Sequence, residues 1–128
     1  MSAERSDWAR RLLIAADVLR DVTPEDLRAD QPFYDELVLV LTEYQLSDAA
    51  FRRVAPDVPN PPDWEALEAV VSASEPDALL LHIQGWITQA RWFEAPLARV
   101  HQAGWLETAL RRLSAQASAL DIVAVKED

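Results

Sequence analysis

The chain has 128 residues, 50% apolar and 27% charged, with twenty-two acids against twelve bases and a formal net charge of −10. One domain with a real core is within reach of that composition, so disorder as the dominant state is excluded; so are disulfides and thiolate chemistry, because there is no cysteine. Such acidity repels phosphate, which argues against nucleic acid and anionic membranes and leaves a basic protein partner, or solubility alone, as what the charge serves.

The acidity is spread along the chain. Up to Asp63 there are seven arginines against thirteen acids, and beyond it five bases against nine acids. No run approaches the roughly 18 apolar residues that cross a bilayer. The opening MSAERSDWARR lacks the apolar stretch of a secretory leader, so a cytoplasmic location is expected. Only two glycines and a bias to Ala, Leu, Glu and Arg favour helix throughout. The fold expected is all-α: a compact single-domain bundle of about six to eight helices.

In chain order, a first helix is expected from Ser2 or Ser6 to about Val22, with Trp8, Leu12, Ala15 or Ala16 and Leu19 as its inward stripe and Leu13, Asp17 and Arg20 off it. Thr23-Pro24-Glu25-Asp26 reads as a second start: a Thr cap, Pro at the first helical position, acids in the first turn. That helix is short, since Asp30-Gln31-Pro32 redirects the chain. From Pro32 to Gln45, Phe33, Leu37, Val40, Leu41 and Tyr44 repeat at helical spacing and predict a one-sided helix. Ser47 then caps a helix over Asp48–Val54. Four of the eight prolines fall between Pro56 and Pro62, a stiff connector between helical halves at 1–55 and 62–120.

Trp64, Leu67, Val70 and Val71 predict the next helix. Ser74-Glu75-Pro76-Asp77 launches a helix over 77–93, apolar on most of its circumference and expected to be the central one. Pro96 ends it, a short helix follows, and Gly104 precedes the last, expected over Trp105 to about Leu120. The apolar tail Asp121–Val125 is open to three states: helix, small strand or docked coil. Asp-Trp recurs at Asp7-Trp8 and Asp63-Trp64, but the landmarks after it drift in register, so no solenoid is read.

No catalytic motif emerges, and no metal or cofactor site is assigned. His82 and His101 stand 19 positions apart with Pro96 between them, outside any Glu-x-x-His or His-x-x-x-His pair. Glu65-x-x-Glu68 supplies half of the acid set that an all-helical metal-dependent hydrolase needs, without the other half. Isolated glycines make no phosphate-cradling loop, and Arg10-Arg11, Arg52-Arg53 and Arg111-Arg112 read as solvated edges. The remaining lead is one face of the 77–93 helix. His82, Trp86, Gln89 and Phe93 share it at i, i+4, i+7 and i+11, as pocket lining, partner contact or core.

Three functions follow as expectations. The first is a non-catalytic acidic module (adaptor, regulator or inhibitor) that binds a basic partner protein. The second is a small-ligand-binding domain using the His82/Trp86/Gln89/Phe93 face. The third, least favoured, is a metal-dependent helical hydrolase.

Overall fold

A computed structural model of the protein describes residues 3–27, 31–58, 67–89 and 104–125. Six α-helices lie among them: α1 (Ala3–Leu19), α2 (Pro32–Thr42), α3 (Asp48–Val54), α4 (Leu67–Ala73), α5 (Pro76–Gln89) and α6 (Trp105–Ala115). The helical expectation holds, with one addition. Strands β1 (Tyr44–Leu46) and β2 (Ile122–Ala124) pair antiparallel, Tyr44 opposite Ala124 and Leu46 opposite Ile122.

Helix α5 is the hub. It starts at Pro76, whose missing N–H costs nothing in a first turn, and it touches α2, α3, α4, α6 and β1. Leu79, Leu80, Ile83, Trp86 and Ile87 are all buried, more than a single stripe, as a helix packed on several sides requires. Its polar residues tie the neighbours to it. Asp77 is buried in the first turn, where its carboxylate accepts from Arg53 Nη2 on α3 at 2.6 Å and from the Asp121 N–H at 3.0 Å. Gln84 Nε2 donates to Leu41 O at 2.9 Å and to Tyr44 O at 2.8 Å, satisfying the end of α2 and the outer edge of β1 together.

The broadest helix–helix contact joins α1 to α6, from opposite ends of the chain. Leu12, Ala16 and Leu19 of α1 and Leu106, Ala109, Leu110 and Leu113 of α6 are buried, and Ser114 Oγ donates to Ala9 O across the contact. Arg112 caps the far end of α4 by donating to the carbonyls of Val71 and Ser74.

Several expected boundaries move. Helix α1 stops at Leu19, and Pro24–Leu27 is a 3₁₀ turn in which Asp26 accepts from both the N–H and the hydroxyl of Thr23. Helix α2 ends at Thr42, so Tyr44 and Gln45 belong to β1. Tyr34 is its buried aromatic, with its hydroxyl donating to Ile87 O at 2.6 Å, while Phe33 is only half-buried. Helix α6 closes at Ala115 into a 3₁₀ turn over Ala117–Ala119. The Ser47 cap of α3 is where the sequence puts it, its Oγ accepting from Ala50 N–H at 3.2 Å. The connector expected over Pro56–Pro62 opens as a 3₁₀ turn at Ala55–Asp57 rather than as extended chain, because Val58 N–H bonds back to Ala55 O; its residues 59–62 lie outside the described residues, as does the short helix expected after Pro96.

Candidate functional site

Two places compete for function: the expected face on α5, and a groove between α1 and α2. On α5, His82 is 6% exposed and Trp86 1% exposed, their rings tilted by 37° at 5.8 Å between centroids. The Gln89 side chain and Phe93 lie outside the described residues, as do His101 and Glu65 and the side chain of Glu68. Among the described residues no group of three His, Asp or Glu side chains is placed to hold a metal ion, and no helix is long and apolar enough to cross a membrane.

Burial disfavours the charged imidazole and holds the His82 pKa below its ordinary 6.5. The unfolded chain therefore takes up a proton before the folded one does. Stability from this group is complete above pH 6.5 and falls as the pH drops through the window below it. One titrating group can contribute no more than about 1.4 kcal/mol per pH unit to that slope. Urea unfolding of the native protein and His82→Leu between neutral pH and pH 5 checks this: the substitution should flatten the slope, and an unchanged slope would remove His82 as its source. Asp17 and Glu107 do not confuse this window. Hydrogen bonds from Arg111 hold both carboxylates below their ordinary values, 3.8 and 4.5, so their contribution is lost only at lower pH.

The groove is built from the faces of α1 and α2 that the core does not use. Arg11, Ile14 and Val18 come from α1, Phe33, Glu36 and Leu39 from α2, Glu43 from the position just after α2, and Val125 from just past β2. Its volume is about 780 Å³, and Ala15, Leu37 and Val40 form its floor. Depth there comes from Ala15, whose single methyl leaves the space between the helices unfilled. Leu39 is 66% exposed, Ile14 54%, Val125 44% and Val18 41%, a concentration of large apolar side chains that water alone does not favour. Val123, also exposed, shares the outer side of β2 with Val125.

Acids frame this apolar surface. Asp35, Glu36 and Glu43 stand at i−4, i−3 and i+4 from Leu39, on its side of α2. Glu43 is engaged: Arg11 grips it with both terminal guanidinium nitrogens, Nη1 at 2.5 Å and Nη2 at 2.7 Å, and Arg11 Nε also donates to Asp7 at 3.2 Å. The hydrogen bond to Glu43 pushes the Arg11 pKa further up. Asp35 and Glu36 have no ion-pair partner among the described residues.

Nothing in the sequence reading pointed to this groove. The available signal was Ile14 and Val18, an i, i+4 apolar pair lying off the buried stripe of α1, and Leu39, apolar between acids. Periodicity assigns such residues to neither face, and only the approach of α2 brings them together. Comparisons with protein-family models, with curated protein sequences and with solved structures find no match.

Proposed function

We propose that this protein is a non-catalytic interaction module that receives a cationic, amphipathic segment of a partner protein in the α1–α2 groove. The observation that carries this reading is the clustering of Ile14, Val18, Leu39 and Val125, all exposed, around one concavity lined by Glu36 with Asp35 beside it, two acids without an ion-pair partner among the described residues. Apolar residues supply contact area, and a net charge of −10 favours a basic occupant over nucleic acid or a second copy of the chain. The groove positions span about 10 Å along α1 and about 15 Å along α2, which suits two to three turns of a helix. Burial of His82 and Trp86 supports packing as their role, so the α5 face is the weaker candidate for a ligand.

Titration calorimetry with a designed leucine/lysine helix of about three turns tests the proposal. Binding should weaken as salt is raised, because rim charges are screened. A leucine/glutamate helix of the same pattern should not bind. Leu39→Ser should weaken binding by about tenfold, the loss of one well-buried apolar anchor. Its melting temperature should hardly move, since Leu39 is 66% exposed in the free protein. Equal binding of the lysine and glutamate helices, or an unaffected Leu39→Ser variant, would refute the groove as the site.

A further inference from the structure

Resting on that reading, we infer that Glu43 is the anion that selects an arginine in the partner, and that Arg11 is an internal competitor occupying it when the groove is empty. The Arg11–Glu43 pair sits at the groove wall, with its side chains 40% and 36% exposed, so an incoming cation can reach it. Both nitrogens of one guanidinium edge contact the two oxygens of Glu43, a forked geometry that a second guanidinium reproduces and an ammonium does not. Arg11 also has somewhere to go. Asp7 lies one turn earlier on α1 and already accepts from Arg11 Nε at 3.2 Å. Release of Glu43 therefore leaves Arg11 on Asp7, which it shares with Arg10, and strands no buried charge. At this groove Glu36 on the lining and Asp35 beside it on α2 attract any cation, whereas Glu43 discriminates by shape.

The test compares designed leucine/arginine and leucine/lysine helices on the native protein and three variants by titration calorimetry. Arg11→Gln removes the competitor and should bind the arginine helix roughly two- to fivefold more tightly, the range of a surface ion pair. Glu43→Gln should bind it more weakly and lose the preference for arginine over lysine. Arg52→Gln makes the same change in net charge on α3, away from the groove, and should match the native protein. An Arg11→Gln variant no tighter than Arg52→Gln, or a Glu43→Gln variant that keeps the arginine preference, overturns the inference while leaving the groove in place. Failure of the native protein to bind either helix overturns the groove reading and the inference together. Melting curves establish that each variant is folded; if Arg11→Gln is not, the arginine preference of Glu43→Gln decides.

Discussion

Trp8→Ala is expected to lower the unfolding free energy by about 3–5 kcal/mol, among the largest losses any single substitution here should produce. The side chain is 0% exposed and lies against Tyr44, ring centroids 4.9 Å apart and planes at 51°. Its Nε1–H donates to Val40 O at 2.6 Å. Truncation thus opens a cavity where α1, α2 and β1 meet and leaves a helix carbonyl without its donor. Trp8→Phe separates the two effects: it keeps most of the ring volume and should cost about 1–3 kcal/mol, the share of a lost buried hydrogen bond. Urea denaturation measures both. A Trp8→Ala loss below about 1 kcal/mol, as for a surface change, would refute this account of the α1–α2 junction.

Trp86→Ala should be of the same order, about 3–5 kcal/mol, because that indole is buried on the hub helix. A domain of ordinary stability, about 5–15 kcal/mol, would lose a large share of its margin. The variant also probes His82. A cavity beside the imidazole admits water and relieves part of the desolvation that keeps it neutral, so the acid sensitivity below pH 6.5 should shrink. Unchanged stability combined with lost binding would instead make Trp86 a binding residue rather than packing. Leu39→Ser is the contrasting case, with binding weakened and stability kept.

Much of the fold was legible where local chemistry decides. Ser47 before Asp48–Val54 and Pro76 at the head of α5 are start signals that depend only on which N–H groups a first turn leaves unbonded. The apolar circumference of α5 announced a helix packed on several sides. The ribbon was not legible from Tyr44–Leu46, because three residues continuing a helical period carry no strand signal of their own. They become a strand only because Ile122–Ala124 returns to pair with them and Gln84 takes the carbonyls of Leu41 and Tyr44. Tyr34 and Phe33 are adjacent aromatics, and a small rotation of α2 decides which one is buried.

The candidate groove was less legible still. Arg11 pairs with Glu43 across 32 positions and Asp77 with the Asp121 N–H across 44, separations at which sequence spacing carries no geometry. Composition, periodicity and capping chemistry by themselves determined an acidic, helical chain with a central apolar helix, because each depends on a residue and its near neighbours. Which apolar faces would be covered was left to the tertiary structure. Helix α1 has apolar residues on two sides; α6 buries one, and α2 lies along the other with Ala15 too small to fill the gap. The exposure of Ile14, Val18 and Leu39 follows from that docking, since a side chain is buried only when another element comes to meet it.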